Sequence, residues 1–258
     1  MSWGLRRQLL YLLGVMLFVA VVLFALSYPV LHQAPSCMDN KQNGDEQGID
    51  CGGSCQRYCS FQVSAPVVLW SRAFHVVGGD YNLLAYVENS NKSGAVENAT
   101  YEFRVYDTNG QLIGVRDGES FVPPNQRFPI FESRFDSGTA TPANTTFAFT
   151  GNLIWMKKAP TIQTLPINVT KVTLGSDSTS PSLTAQISNN SIYDLPQFDV
   201  IAILYDKDSN AINVSKTHLA GLVSNASAPL SFTWPLAFSA TPIKEDVLPQ
   251  INPFLTNF

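Results

Sequence analysis

The stretch Tyr81-Asn-Leu-Leu-Ala-Tyr-Val-Glu-Asn89 places apolar residues at alternate positions, and Thr100-Tyr-Glu-Phe-Arg-Val-Tyr106 follows with the same pattern. In the second run Tyr101, Phe103 and Val105 are separated by charged residues, so they share one face of an extended chain. Apolar residues with a period of two predict β-strands that bury one face. The fold is therefore predicted to be built from strands.

A turn signal follows the second run. The residues Asp107-Thr-Asn-Gly110 contain Asn-Gly, a pair that favours the positive backbone angles of a tight hairpin turn. We predict a β-hairpin whose next strand begins at Gln111-Leu-Ile113.

The chain repeats this pattern about 100 residues later, the length of an immunoglobulin-like sandwich. Leu83, Ala85, Val87 and Asn89 correspond to Leu183, Ala185, Ile187 and Asn189. Tyr106-Asp107 followed by Asn109-Gly110 corresponds to Tyr205-Asp206 followed by Ser209-Asn210. The repeat predicts an all-β chain with two tandem immunoglobulin-like β-sandwiches. We place the first, with its connector, at residues 61–160 and the second, with a C-terminal tail, at 161–258.

Two segments of these copies resemble a known family. Tyr101-Glu-Phe-Arg-Val-Tyr-Asp107 and Val200-Ile-Ala-Ile-Leu-Tyr-Asp206 are similar to the F-x-L-Y-D signature of FxLYD-type immunoglobulin-like domains, which occur in many prokaryotic surface proteins. The first copy has Val105 in place of the Leu, and the second has Ala202 in place of the Phe. The resemblance implies an immunoglobulin-like fold exposed at the cell surface, and it implies no reaction.

The N-terminus has the composition of a membrane anchor. The apolar run from Leu9 to Leu26, with the residues that follow it, is long enough to cross about 30 Å of hydrocarbon. Arg6 and Arg7 precede the run and favour a cytoplasmic N-terminus. We predict a cytoplasmic segment at 1–8, a transmembrane signal anchor at 9–30, and an extracytoplasmic remainder. The alternative is a signal peptide cleaved after Ser27, although the apolar region of signal peptides is normally shorter.

All four cysteines lie in a predicted linker at residues 31–60, and they are Cys37, Cys51, Cys55 and Cys59. An even number of cysteines in an exported segment that has almost no apolar residues predicts two disulfides, with three possible pairings. A zinc site is disfavoured because the spacing is too wide and no paired histidine is near. The segment also resembles a short Cys-rich linker that precedes FxLYD-type domains in anchored bacterial proteins.

The acidic residues of this linker have the spacing of a calcium loop. The candidate ligands are Asp39, Asn43, Asp45 and Asp50. Oxygen ligands at these intervals, with Gly44 at the sharp turn, resemble an EF-hand loop. Lys41 occupies a position where a further ligand is expected. The competing interpretation is a structural Asn/Gly/Asp turn, and we expect no other cofactor.

The composition and motifs argue against catalysis and against nucleic acid. The net charge is −4, and it becomes −6 for residues 8–258 once Arg6 and Arg7 are left inside, whereas nucleic-acid binding needs a basic surface. The histidines are His32, His75 and His218, and no nucleophile elbow, zinc-protease helix or phosphate loop accompanies them. We expect a protein that is not an enzyme. Its expected partners are the membrane, through the N-terminal helix, and an unidentified protein or cell-surface ligand.

Seven sequons for N-glycosylation lie in the exported part, at Asn91, Asn98, Asn144, Asn168, Asn189, Asn213 and Asn225. They fit surface loops of an exported chain, whether they are glycosylated or simply reflect Asn/Ser/Thr-rich turns. Residues 242–258 are interpreted as a last edge strand with a loose end, or as a segment that docks on a partner by strand addition.

Three functional hypotheses remain from the sequence. The first is adhesion, envelope assembly or protein recognition by the two sandwiches. The second is a scaffold subunit of an envelope secretion or pilus complex. The third, a surface hydrolase, requires a cleft of facing carboxylates or a metal site.

Overall fold

A computed structural model describes residues 3–31, 35–158, 165–175 and 179–255. The chain separates into two compact units, Met1–Cys55 and Gln56–Phe258. The first unit contains a helix and most of the cysteine segment, and the second contains every strand of the described residues.

The helix, α1, spans Trp3–Leu31, which is longer than the predicted anchor. Its segment Arg6–Tyr28 is long and apolar enough to cross a membrane, and none of it is buried by protein. At 1.5 Å per residue these 23 residues span about 35 Å, slightly more than a hydrocarbon core. The predicted apolar helix is confirmed, and its length and composition suit a membrane anchor.

Over its described residues, 61–158, the first sandwich contains seven antiparallel strands. They are β1 (Val67–Val77), β2 (Asp80–Asn89), β3 (Gly94–Tyr106), β4 (Leu112–Val122), β5 (Gln126–Asp136), β6 (Asn144–Phe149) and β7 (Trp155–Lys157). One sheet has the order β1-β2-β5 and the other has the order β4-β3-β6, with β7 paired to the start of β3.

The second sandwich repeats this strand order. Its strands are β8 (Ile167–Leu174), β9 (Ser182–Asn189), β10 (Phe198–Tyr205), β11 (Ala211–Leu219), β12 (Ser227–Thr233) and β13 (Lys244–Gln250). They form the sheets β8-β9-β12 and β11-β10-β13. The predicted last edge strand is confirmed as β13, which pairs with β10. The predicted boundary between residues 160 and 161 lies outside the described residues.

Each sandwich encloses the apolar face that the sequence predicts. In the first core Leu83, Ala85 and Val87 of β2 are fully buried against Phe103 and Val105 of β3. The second core holds the equivalent residues Leu183, Ala185 and Ile187 of β9, together with Val200, Ala202 and Leu204 of β10. The fold is therefore all-β, built from antiparallel sandwiches.

A third apolar cluster lies between the two sandwiches, where sheet β1-β2-β5 packs on sheet β11-β10-β13. Its buried members are Phe74, Leu84, Ile201, Ile203, Tyr205, Ala211 and Val214. Trp70, Tyr86, Phe131 and Leu248 pack against it. The central strands of these two sheets, β2 and β10, are covered on both faces over much of their length, so the sandwiches stack as four sheets. We call this cluster the joint.

The hairpin turn differs from the prediction at one residue. Only Gly110 has a positive φ, 76°, whereas Asn109 keeps an ordinary backbone angle. The Asp107 carboxylate organises the turn by accepting the N–H groups of Asn109 and Gln111, each at 2.8 Å. A type I turn followed by one left-handed residue is a common hairpin loop, and here Gly110 supplies that residue.

The same loop recurs in the second sandwich. Ser209 has φ of 62° and takes the place of Gly110, so the predicted match of Gly110 with Asn210 is wrong by one residue. The Asp206 carboxylate accepts the N–H groups of Asp208 and Asn210, as Asp107 does in the first sandwich. The aspartate of the Tyr-Asp pair therefore organises the turn in both copies.

Candidate functional site

The joint leaves an open depression on each side of the contact between the sandwiches. The interdomain groove, with a volume of about 690 Å³, lies where β1 and the start of β2 meet β11 and the segment that follows β12. The polar cleft, of about 380 Å³, lies where β3, β4 and β5 face the start of β10 and the end of β13. These two depressions are candidate binding sites at the contact between the sandwiches.

One side of the polar cleft is organised around Glu132. The Tyr101 hydroxyl donates to Glu132 Oε1 at 2.8 Å, and Arg116 Nε donates to Glu132 Oε2 at 2.9 Å. Burial raises the pKa of Tyr101, and the neighbouring Glu132 carboxylate raises it further. Tyr101 is therefore a neutral hydrogen-bond donor across the physiological pH range.

The other side of the cleft is organised around Asp199. Lys216 Nζ lies 3.0 Å from one carboxylate oxygen, and His218 Nδ1 lies 2.8 Å from the other. Partial burial works to raise the pKa of Asp199, but the hydrogen bonds from His218 and Lys216 outweigh it, so the pKa is lowered overall. A glycosidase pair needs a carboxyl group that stays protonated, and Asp199 is shifted in the opposite direction.

The histidines noted in the sequence occupy separate places. His75 Nε2 lies 2.9 Å from the carbonyl oxygen of Gly78, and its ring packs at a tilt against the ring of Tyr81. His218 lies in the second sandwich, where its Nδ1 atom contacts the carboxylate of Asp199 on the neighbouring strand β10. His32 lies outside the described residues. Within the described residues, neither His75 nor His218 bonds to a serine hydroxyl or a cysteine thiol.

The cysteines are oxidised, as predicted. Cys37 and Cys55 form a disulfide with their Cα atoms 5.6 Å apart, and this bond selects one of the three possible pairings. Cys51 and Cys59 are also disulfide-bonded, so the described residues contain no free thiol. All four sulfur atoms are therefore occupied by covalent bonds and are not available as thiolate ligands for zinc.

The candidate calcium ligands are linked to one another and to the backbone. The Asp50 carboxylate accepts the N–H groups of Asp39 and Asn40 at 3.0 to 3.2 Å. The Asp39 carboxylate accepts the Asn43 side-chain amide at 2.7 Å, whereas Asp45 accepts the Ser54 hydroxyl at 2.7 Å. The structure thus brings Asp39, Asn43 and Asp50 together and turns Asp45 toward Ser54.

Glu46 also supports this loop, a role that the spacing of the acidic residues did not indicate. Its carboxylate accepts the N–H of Asn43 at 3.0 Å, three residues earlier, as in other turns that an acidic side chain closes. The backbone of the loop therefore already uses the carboxylates of Asp39, Glu46 and Asp50 as hydrogen-bond acceptors. This arrangement supports a structural turn, and calcium binding stays a hypothesis.

The sequons divide by exposure. Asn189 is completely buried, whereas Asn98, Asn144, Asn168 and Asn225 are exposed. Asn91 is half-buried and exchanges hydrogen bonds with the backbone of Ser64. A glycan at Asn189 is incompatible with the folded sandwich.

These features define an all-β chain of antiparallel sandwiches behind an N-terminal apolar helix. No protein-family model matches the chain, and no curated protein matches it. Among solved structures, the crystal structure of red sea bream transglutaminase resembles it with a TM-score of 0.25 and 10% sequence identity. The aligned part covers 72% of this chain and 29% of that protein, so the chain spans less than a third of its length. A likeness of this size supports no argument about fold or function.

Proposed function

We propose that this chain is a non-catalytic membrane protein that holds two immunoglobulin-like sandwiches outside the cytoplasm to recognise a protein or surface ligand. In this proposal α1 is a single-pass anchor with its N-terminus inside, as Arg6 and Arg7 favour. The resemblance to FxLYD-type domains and the two disulfides support an extracytoplasmic location, since disulfides persist in oxidising compartments.

The apolar contact between the sandwiches, the joint, is the observation that supports this proposal most directly. Sandwiches joined only by a linker move independently, whereas an apolar interface fixes their relative positions. Ile201 and Ile203 of β10 are at most 2% exposed although they point away from the core of their own sandwich. The loops of both sandwiches are thereby presented on one rigid body, which lowers the entropic cost of binding a ligand that touches several of them.

The proposal that the protein is not an enzyme is supported by the partners of its histidines and carboxylates. The two described histidines lie on different sandwiches and bond to a backbone carbonyl and to Asp199. In the polar cleft, the Glu132 and Asp199 carboxylates are each paired with a cation. Paired carboxylates of this kind orient side chains and shape a binding surface, which suits recognition.

The edge strand β13 favours a second candidate function, a scaffold subunit of an envelope secretion or pilus complex. Among the described strands, β13 pairs only with β10, so its other edge is open to an added strand. In this alternative the C-terminal strand would be the contact with the rest of the complex.

Chemical crosslinking of the full-length chain in its native membranes, followed by mass spectrometry, tests the proposal. Recognition predicts crosslinks from lysines of the sandwiches, such as Lys92 and Lys171, to proteins or glycans outside the cytoplasm. Crosslinks confined to the neighbours of β13 in one membrane complex would support the scaffold instead. Crosslinks from the sandwiches to cytoplasmic proteins would contradict both.

A further inference from the structure

The loops at one end of the second sandwich expose apolar side chains. Ile192 is 79% exposed and Tyr193 is 43% exposed in the loop between β9 and β10, and Val223 is 60% exposed in the loop between β11 and β12. We call these three side chains the knob. An exposed apolar patch formed by neighbouring loops marks a candidate surface for binding another molecule.

A buried side chain beneath the two loops holds the knob in a fixed position. Asn189, which is buried, donates its side-chain amide to the carbonyls of Tyr193, Leu222 and Val223 at 2.8 to 3.2 Å. Leu195 and Leu222 exchange backbone hydrogen bonds between the two loops. The knob is therefore a fixed feature that needs no ordering before it binds.

The first sandwich does not expose a knob at the equivalent place. Its loop between β2 and β3 has only residues 90–93, Ser-Asn-Lys-Ser, and is polar. Chain that precedes the sandwich covers this loop, since Asn91 bonds to Ser64 and the Ser93 hydroxyl bonds to the Tyr58 hydroxyl at 2.6 Å. The longer, apolar loop is thus a distinct feature of the second sandwich.

The interdomain groove lies at the opposite end of the same sandwich. Register places Phe198 beside Leu219 at the knob end of β10, and Tyr205 beside Ala211 at the groove end. The eight residues of β10 span about 23 Å at 3.3 Å per residue. A molecule with a knob at one end and a groove at the other can join a second copy head to tail.

The chemistry of the two ends is complementary. Phe74, Trp234 and Leu236 line the groove, and Leu236 is 41% exposed, which provides apolar surface for the knob. Arg72 stands exposed at the groove, and Asp194 lies beside the knob with one carboxylate oxygen accepting the N–H of Ser224. Neither charge forms an ion pair with another described side chain. In a head-to-tail contact, Arg72 of one copy would lie close to Asp194 of the next copy.

We propose that the extracytoplasmic sandwiches self-associate head to tail, with the knob of one copy seated in the interdomain groove of the next. A bilayer is a poorer occupant for the knob, because its two loops carry Asp194 and no lysine or arginine to attract anionic lipids. Such a contact uses two different surfaces, so it builds chains of molecules unless the rotation between copies closes a ring.

Complementary variants of the full-length chain in detergent test this by analytical ultracentrifugation. Ile192→Asp removes the knob and Leu236→Asp blocks the groove, and each should raise the dissociation constant at least about tenfold. Wild type should form concentration-dependent oligomers, each variant alone should be monomeric, and an equal mixture should form dimers and nothing larger. Ile154→Asp, at an exposed isoleucine of the first sandwich, should assemble like wild type.

The remaining outcomes overturn the proposal. Wild type that stays monomeric, either variant that assembles normally, or a mixture that stays monomeric would each contradict it. Photo-crosslinking in native membranes identifies the occupant directly, with Val223→p-benzoylphenylalanine as the probe. Capture of a peptide from residues 233–240 of a second copy supports the proposal, whereas capture of lipid or of a different protein refutes it.

Discussion

Asn89 and Asn189 occupy equivalent positions at the ends of β2 and β9, and both are buried, with exposures of 1% and 0%. The Asn89 amide donates to the carbonyls of Gly94, where the loop that leaves β2 meets β3, and of Pro123, in the segment after β4. Asn189 does the same for the corresponding loops of the second sandwich. Each sandwich thus fastens two loops with one buried amide, and in the second sandwich those loops carry the knob.

Replacing Asn189 with alanine should therefore destabilise the fold. The substitution leaves buried carbonyl groups without a donor, for which we expect a loss of about 2–4 kcal/mol. Denaturant unfolding of the full-length chain measures it, with Asn168→Ala at an exposed sequon as the control. An unfolding free energy equal to that of the control would contradict the assigned role.

Whether a sequon is glycosylated should depend on how exposed its asparagine is in the folded chain. When the chain is expressed in a host with N-glycosylation machinery and secreted folded, mass spectrometry should find Asn189 unmodified, since its amide is buried and bonded. Asn168 is exposed and is the matched site on the same sandwich. A glycan on Asn189 in folded protein would show that the loops open.

The joint should be far more sensitive to charge than the equivalent face of the first sandwich. Ile203→Asp places a carboxylate in an apolar interface and should cost about 3–5 kcal/mol, whereas Ile203→Val should cost about 1 kcal/mol. Arg104 occupies the equivalent outward position on β3, where it is exposed and paired with Glu102. Arg104→Ala should change the unfolding free energy little, and equal effects of Ile203→Asp and Arg104→Ala would contradict the buried interface.

Stability should fall in acid partly because of Asp199. Its pKa is lowered in the folded chain, so the folded state binds a proton less readily than the unfolded state does. The stabilisation is present above the unfolded value of 3.8 and is lost as the pH falls through the lower folded value. Asp199→Asn should lower the melting temperature at pH 7 and flatten its dependence on pH below about 4.

The control for this titration is Asp208→Asn, at an exposed carboxylate paired with Lys207. Its melting temperature at pH 7 should stay close to that of the wild type, because an exposed ion pair contributes little to stability. An Asp199→Asn variant that retains the full wild-type dependence would show that this carboxylate is not held in its charged form.

The sequence predicted the strands and core of each sandwich because alternation marks a face that is buried locally. Tyr101, Phe103 and Val105 line the first core as their period indicates. The run Ile201-Ala-Ile-Leu-Tyr205 carried a further signal, because it lacks the charges that Glu102 and Arg104 place on β3, and a strand without polar alternation is buried on both faces.

The absence of charges in this run does not indicate which residues cover the outer face of β10. The cover is Phe74, Leu84 and Phe131, which belong to the other sandwich and lie more than 60 residues away in sequence. The groove and the polar cleft exist only once this contact forms, so their residues carry no local pattern. The turn was misplaced by one residue because Ser209, which is not a usual left-handed residue, takes the position of Gly110.

The proposed function depends on the two sandwiches forming one rigid body, and a distance measurement across the four sheets tests this directly. Spin labels attached through unnatural amino acids at Ala148 and Ser231, both exposed on the outer sheets, leave the disulfides intact. Sheets stack about 10 Å apart, so three intervals and the label tethers predict one narrow distribution centred at about 30–40 Å in the full-length chain. The distribution should broaden in Ile203→Asp. A broad distribution in the wild-type chain would show that the sandwiches move independently, and it would contradict the proposed rigid body.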